Sequence, residues 1–363
     1  MAGPTAFAAG EAGVWRALDA SANRAAEALR VIEDVVRFVL DDVDLTAAAK
    51  NLRHDLAAAL ATGPFVFRIA LRDVTGDVGA GLEAAAPLRR TSAADLLAAN
   101  AARATQALRS LEECAAVVAP AAAAAFGRLR YRCYELERGM LTAVRARDRL
   151  AGISLCVLVD GRGDPGSFER LVATLVDAGV RMLQVRDKQL PAAELADRVR
   201  RAVAIAGRCA ASHRPLVLVN DRADVAAAVG ADGVHAGADD LPTPLVRRVV
   251  GPAALVGRTA HDLAEARAAA VEGADYLGIG PCFPSRTKEF GSFAPPEFLR
   301  RVAGEIALPA FAIGGIGLEN LESLAALGIT RVAVASAVTA TPDPAAAAAA
   351  LIERLATLRP APL

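Results

Sequence analysis

What most constrains the fold of this chain is an alternation that sets in after about residue 150. Eight short apolar, often β-branched runs recur there: "ISLCVLVD", "RMLQVRD", "PLVLVND", "ADGVHAG", "ALVGRTAH", "ADYLGIG", "LPAFAIGG" and "ITRVAVAS". Ala-rich segments of helix length separate them. Strands regularly interleaved with helices of that length pair in parallel through crossovers. Eight such units, in a span near the ~200-residue lower limit of the (β/α)8 architecture, predict a TIM barrel. A doubly wound open sheet is the alternative.

Before Leu150 the pattern is helical throughout, rich in Ala, Leu, Arg and Glu. A chain of 363 residues exceeds one ordinary core, so two domains are expected. The predicted division is an all-α domain at 1–150 and an α/β barrel at 151–363, with the boundary in the charged stretch "RARDRLAG", Arg145 to Gly152. The helical half contains an internal repeat: "RAAEALRVIED" starts at Arg24 and "RATQALRSLEE" at Arg103. On a helix, Ala28, Leu29 and Ile32 form one buried stripe, and Ala107, Leu108 and Leu111 form its counterpart. Arg30 and Glu33 are i,i+3 neighbours, as are Arg109 and Glu112. Two readings stay open: these pairs form a solvated face, or the copies face each other across a pocket completed by Asp73 and Asp77 of "LRDVTGDVGAGLE".

Composition excludes several classes of function. Lys and Arg total 41, as do Asp and Glu, so no global charge draws the chain to nucleic acid or a membrane surface. The five cysteines are scattered, with no C-x-x-C pair, which argues against a disulfide framework or zinc site and for a reducing compartment. The start "MAGPTAFAAGEA" lacks a signal peptide's basic and apolar regions, and no charge-free apolar run spans a membrane. A cytoplasmic location is expected.

In a β/α barrel the active site forms at the C-terminal ends of the strands. Gln184, Arg186 and Lys188 alternate along the second run and share one face. The third ends in Asn220 and Asp221, the fourth leads to Asp239 and Asp240, and the fifth to Thr259 and His261. Ser285, Thr287 and Lys288 follow the sixth, Gly314 and Gly315 end the seventh, and Ser336 ends the eighth. Arg186, Lys188 and Lys288 suit a diphosphate. Asp221 and Asp240 suit a hard cation such as Mg²⁺, with phosphate oxygens completing its shell. The "AIGGIG" turn suits a second phosphate. Each residue has a plainer reading alone: Asp221 as a helix cap, the glycines as a turn, Lys288 as a solvated cation, His235 as a histidine holding a backbone carbonyl, Cys282 as a buried thiol rather than a nucleophile. Their recurrence at one end of seven strands favours a site.

The ordered motifs "QVRDK", "NDR", "GVHAGADDLP", "GRTAH", "ADYLGIGPCFPSRTK" and "AIGGI" resemble those of the thiamine-phosphate synthase family (thiamine-phosphate pyrophosphorylase). The resemblance implies a Mg²⁺-dependent transferase joining an aminopyrimidine diphosphate to a thiazole phosphate. It implies that Gln184, Arg186, Lys188, Asn220, Thr259 and Lys288 contact the pyrimidine substrate, with Val185 and Asp187 also substrate-binding. Ser285, Arg286, Thr287, Gly315, Ala335 and Ser336 would contact the thiazole phosphate, and Asp221 and Asp240 the metal. Arg186, Lys188, Lys288 and Thr259 would be the catalytic groups. Ala238 replaces the family's usual Gln, and Thr259 its usual Ser. A thiazole tautomerase-like barrel and a non-catalytic regulator that binds thiamine precursors are the alternatives. The helical half resembles a domain fused to some of these synthases, an alternative hydroxymethylpyrimidine-phosphate kinase that would use ATP. A docking or dimerisation domain is its rival, since no P-loop motif is present. The oligomeric state stays open.

Overall fold

The computed structural model describes residues 11–73, 75–77, 89–284 and 291–358. The chain divides into two compact units, residues 1–144 and 145–363.

In the first unit, α1 (Ala12–Phe38), α2 (Val43–Leu60), α3 (Ala93–Val118) and α4 (Pro120–Arg149) are the long helices; α4 carries the division between units. Short polar residues set two of their starts: Asp42 accepts from Leu45 N at 2.7 Å, and Ser92 from Asp95 N at 3.1 Å. The two copies of the repeat lie on α1 and α3, and their predicted stripes are buried, with Leu29, Ile32, Leu108 and Leu111 at 0% exposure. Trp15, Phe65 and Phe126 fill the same core, with ring centroids 6.0 Å apart for the first pair and 5.4 Å for the second.

The i,i+3 pairing holds in the second copy, Arg109 with Glu112 at 3.1 Å, but not in the first, where Arg30 pairs with Asp34; both glutamates also reach the next helix. Glu33 is buried and accepts from Arg53 Nε of α2 at 2.6 Å; Glu112 takes Arg130 Nη2 of α4 at 3.0 Å. Each copy thus fastens its helix to the helix that follows. The Arg53 hydrogen bond holds the Glu33 carboxyl below its ordinary value against the opposing effect of burial. Asp73 forms a turn, accepting from Gly76 N at 2.8 Å. Residues 78–83 of the segment between the copies lie outside the described residues.

The second unit is a closed barrel of eight parallel strands: β1 (Leu155–Val159), β2 (Met182–Val185), β3 (Leu216–Asn220), β4 (Gly233–Ala236), β5 (Leu255–Ala260), β6 (Tyr276–Ile279), β7 (Ala310–Ile313) and β8 (Val332–Val334). Pairing of Leu155 with Val332 and Val157 with Val334 closes the ring and excludes the open sheet. The period of two sorts the side chains. Cys156, Leu158, Met182, Leu218, Leu255, Tyr276, Phe311 and Ala333 fill the barrel with Leu150 and Ile153. Intervening residues such as Val157, Leu183, Val219, Val234 and Leu277 are equally buried, which puts them beneath the surrounding helices. Burying each of these large side chains is worth about 1.5–3 kcal/mol.

Helices α5 (Pro165–Asp177), α6 (Ala192–Ala206), α7 (Ala223–Val229), α8 (Thr243–Val250), α9 (Leu263–Glu272), α10 (Pro296–Glu305), α11 (Leu321–Ala325), α12 (Ser336–Thr339) and α13 (Pro344–Thr357) surround it. Asp164, Asp262 and Asp343 cap α5, α9 and α13. At the N-terminal end of β6, fully buried Asp275 accepts from Arg145 at 2.8 Å, Arg247 at 2.6 Å and Val256 N at 2.7 Å. Among the described residues no helix is long and apolar enough to cross a membrane.

Candidate active site

The C-terminal ends of the strands gather the polar residues, and register decides which of them meet. β2 ends at Val185, and the Arg186 N–H continues the ladder by donating to Val159 O at 2.8 Å. Gln184 is buried inside the barrel, while Arg186 and Lys188 follow on the same parity, one half-buried and the other exposed. Val185 has the opposite parity and is fully buried, which leaves only its backbone for a ligand. Asp187 also has that parity. Its carboxylate accepts from Gly161 N at 3.0 Å, Gln189 N at 2.8 Å and Leu190 N at 3.0 Å, and so shapes the loop that carries Lys188.

Asn220 ends β3 opposite His235 of β4. Next to it, Asp221 has φ +61°, an uncommon conformation for a residue with a side chain, held by its N–H donating to His235 O at 2.8 Å. The helix-cap reading fails here, because α7 begins at Ala223 with Arg222 as its N-cap. Instead the Asp221 carboxylate meets Asp240 and lies 3.3 Å from Lys188 Nζ. Burial and then the Asp240 charge push the Asp221 carboxyl above its ordinary value, and Lys188 opposes them. Asp240 is itself oriented by accepting from Gly237 N at 2.7 Å, and Arg258 braces the same loop through the carbonyls of Ala238 and Leu241.

Two carboxylates pressed together at a strand end call for more positive charge than one exposed lysine supplies. Hard oxygen donors of this kind fit a divalent cation such as Mg²⁺. No third His, Cys, Asp or Glu joins them among the described residues, so the other ligands would be water or substrate oxygens.

Inside the barrel runs a polar column that the sequence reading missed. Gln184 hydrogen-bonds the Tyr276 hydroxyl, which lies 3.1 Å from His235 Nδ1; His235 Nε2 lies 3.0 Å from Thr259 Oγ1. His235 therefore meets two hydroxyls and not a backbone carbonyl as expected. The carbonyl-holding histidine is His261, whose Nδ1 donates to Gly280 O at 2.7 Å. Burial lowers the His235 pKa to about 4, helped by the Arg258 charge, so the ring is neutral near pH 7. Two in-facing strand glycines were the available signal, since glycine within a strand marks close approach. A Cβ on Gly257 would lie 2.1 Å from the Tyr276 ring, and one on Gly278 would lie 2.8 Å from His235.

β7 ends in Gly314 and Gly315, both at positive φ, +97° and +63°. Asn320 ties the turn by donating to Gly315 O at 2.9 Å and accepting from Gly317 N at 3.1 Å. Beyond β8, Ala335 precedes α12, whose first residue is Ser336. A glycine turn after strand seven and a short helix after strand eight is where β/α barrels bind phosphate. Cys282 stays a thiol, because burial raises its pKa to about 11. Ser285, Arg286, Thr287 and Lys288 lie outside the described residues.

A closed β/α barrel with cations, a carboxylate pair and a glycine turn on its C-terminal rim has the make-up of an enzyme site suited to phosphorylated small molecules. Comparison with known proteins narrows the class. Residues 155–338 match the family model for thiamine monophosphate synthase, and residues 16–139 match that of the ThiD2 family. The chain is 42% identical over 334 residues to thiamine-phosphate synthase of Rhodopirellula baltica, covering 89% of this chain and 88% of that one. It is 38% identical to the Synechocystis thiamine-phosphate synthase, covering 99% of both chains. Thiamine phosphate pyrophosphorylase from Pyrococcus furiosus, a solved structure, aligns with a TM-score of 0.50 and 30% identity, covering 57% of this chain and 97% of that one. The chain belongs to the thiamine-phosphate synthase family, and it is a transferase.

Proposed function

We propose that the barrel rim joins an aminopyrimidine diphosphate to a thiazole phosphate, with the residues named above in the following roles. Gln184, Asn220 and Thr259 hold the pyrimidine half. Arg186, Lys188 and Lys288 neutralise its diphosphate, with the Asp187-braced loop and the Val185 backbone setting their positions. The turn at Gly315, Ala335 and Ser336, with Ser285, Arg286 and Thr287, holds the thiazole phosphate. The bond from the pyrimidine methylene carbon to the diphosphate oxygen breaks, and its electron pair leaves with diphosphate. The thiazole nitrogen lone pair forms the new carbon–nitrogen bond, so no proton need be transferred. Catalysis then rests on alignment of the two substrates and on cations placed where charge develops. Asp221 and Asp240 would hold Mg²⁺, which when bound neutralises charge on the departing diphosphate.

The observation that carries this reading is the Asp221–Asp240 pair beside Lys188, at the rim that bears Thr259 and the glycine turn. A thiazole-only tautomerase or a sensor has no use for a carboxylate pair beside a cation. The test is diphosphate release by the full chain from both substrates, with Mg²⁺ or EDTA. Release matched by thiamine phosphate and lost with EDTA supports the reading; thiazole phosphate binding without turnover overturns it. A reducing, cytoplasmic setting agrees with five free cysteines.

For the helical unit we infer ATP-dependent phosphorylation of the pyrimidine monophosphate, which would make the barrel's diphosphate substrate. The ThiD2 match supports this. So does a groove of about 660 Å³ with an Ala/Leu floor, edged by Asn23, Glu27, Arg30, Arg53 and Arg68. Consumption of ATP by the full chain given the monophosphate tests it. A chain that makes thiamine phosphate from the diphosphate but leaves the monophosphate unchanged would leave this unit a docking role.

A further inference from the structure

The polar column has a direction. Gln184 donates an amide N–H to the Tyr276 oxygen. Tyrosine has one proton to give, and His235 Nδ1, at 3.1 Å, is positioned to accept it. A neutral imidazole that accepts at Nδ1 carries its proton on Nε2. That proton points at Thr259 Oγ1, 3.0 Å away. With its oxygen already accepting, Thr259 has its own proton left to donate elsewhere, and Thr259 lies at the C-terminal end of β5, on the active-site rim.

We propose that His235, set by Tyr276 and Gln184, is a positioning residue that fixes the Thr259 hydroxyl as a hydrogen-bond donor toward the pyrimidine diphosphate. The reversed order would leave Thr259 presenting lone pairs to an anion. The inference rests on the reading of Thr259 as a substrate contact.

The geometry supports a dedicated device. Barrel interiors are normally filled by layers of branched aliphatic side chains. Here two strands give up their inward side chains, at Gly257 and Gly278, where a Cβ would overlap Tyr276 or His235. Tyr276 is further fixed edge-on against Phe311, with centroids 5.6 Å apart. His235 stacks at a tilt on Tyr276 at 5.5 Å. The column is thus locked in position inside the barrel, and it ends at Thr259 on the rim.

The first experiment reads the tautomer directly in the unmutated full chain. Two-bond ¹H–¹⁵N spectra resolve the chain's four histidines, with His235 assigned by its loss in H235Q. A protonated Nε2 is expected; a protonated Nδ1 overturns the proposal. Kinetics then connect the column to turnover. Y276F keeps the ring and removes the proton that sets the tautomer, so kcat should fall about tenfold with both KM values within about twofold. T259V should lose at least as much, and the double variant Y276F/T259V should be no slower than T259V, since both act through one hydroxyl. H235Q, whose amide N–H reaches near the Nε2 position, should retain more activity than H235L. Additive losses in the double variant would overturn the proposal. Wild-type kcat in T259V would instead overturn the assignment of Thr259 to the substrate. A slow T259V beside a normal Y276F sinks only the proposed column.

Discussion

The most exposing test of the rim is to add one methyl group at Gly315. An alanine there must adopt φ near +63°, which costs about 1 kcal/mol. Its Cβ would also lie 2.2 Å from Pro284 O and 2.6 Å from Phe283 O. Both obstacles are backbone atoms, so no side chain can rotate away, and the segment after β6 must retreat by about an ångström to reach van der Waals contact. That retreat breaks the Phe283 N–Gly314 O hydrogen bond, now 3.0 Å, at about 1 kcal/mol. Overpacking in a closed setting adds about 1–3 kcal/mol. The total is about 3–5 kcal/mol. At about 2–4 °C per kcal/mol for a unit of this size, the melting temperature should drop by roughly 10 °C. Gly230 is the internal control: it has φ +66° at the C-cap of α7, with nothing within 4 Å of the added Cβ, so G230A costs only the backbone term. Steady-state kinetics at 25 °C, where both variants remain folded, should show a specific defect in G315A. An ångström of misplacement is worth about 100-fold in kcat/KM, here for thiazole phosphate. Equal melting temperatures for the two variants, or an unaltered response of G315A to thiazole phosphate, would refute this account of the turn.

Three further outcomes are expected. D240N removes one carboxylate charge and one metal ligand, so the Mg²⁺ concentration for half-maximal activity should rise at least about tenfold; an unchanged Mg²⁺ dependence would remove the pair from metal binding. D275N strands two arginines and weakens the Val256 N–H bond at a fully buried position; a loss of about 3 kcal/mol is expected in thermal unfolding, and under about 1 kcal/mol would show that Asp275 anchors little. His235 falls from an ordinary 6.5 to about 4 on folding, so the unfolded chain binds the extra proton between those values. Its contribution is complete above pH 6.5 and is lost as the pH falls toward 4, by at most about 3 kcal/mol. Subtracting the H235Q curve from the wild-type curve isolates that slope, and parallel curves would show that the ring is not desolvated.

The sequence made the strand ends legible because period-two alternation is local. Gln184 and Arg186 share a parity whatever the rest of the chain does, and the Arg186 N–H extends the ladder of β2, while Lys188 lies just beyond it in a bend. The same rule explains Asp187. It stands between two cations in the sequence but has the opposite parity, and its carboxylate turns to the loop's N–H groups. What sequence could not supply was register. Tyr276 reads as an apolar core residue until Gly257 is paired with it and Asn220 with His235, which brings residues from four strands into one column. Glu33 is a similar case: its spacing from Arg30 suggested a surface pair, whereas its partner, Arg53, lies on the next helix, at a distance that helical periodicity does not encode.

The protonation states along the rim bear on the chemistry as a whole. Near pH 7 His235 is neutral, with both ring nitrogens engaged by hydroxyls. His261 has Nδ1 bound to a carbonyl, and Cys282 remains a protonated thiol. Asp221 is raised from its ordinary value by burial and by Asp240, and it faces that second carboxylate and Lys188. Neither His235 nor Cys282, then, is a free base near pH 7. For most transferases that would be a defect. For displacement of diphosphate by a ring nitrogen it is what the bond changes ask for, since the nucleophile has no proton to lose and the leaving group needs charge neutralised more than it needs a proton. The roles proposed for Arg186, Lys188 and the carboxylate pair match that requirement.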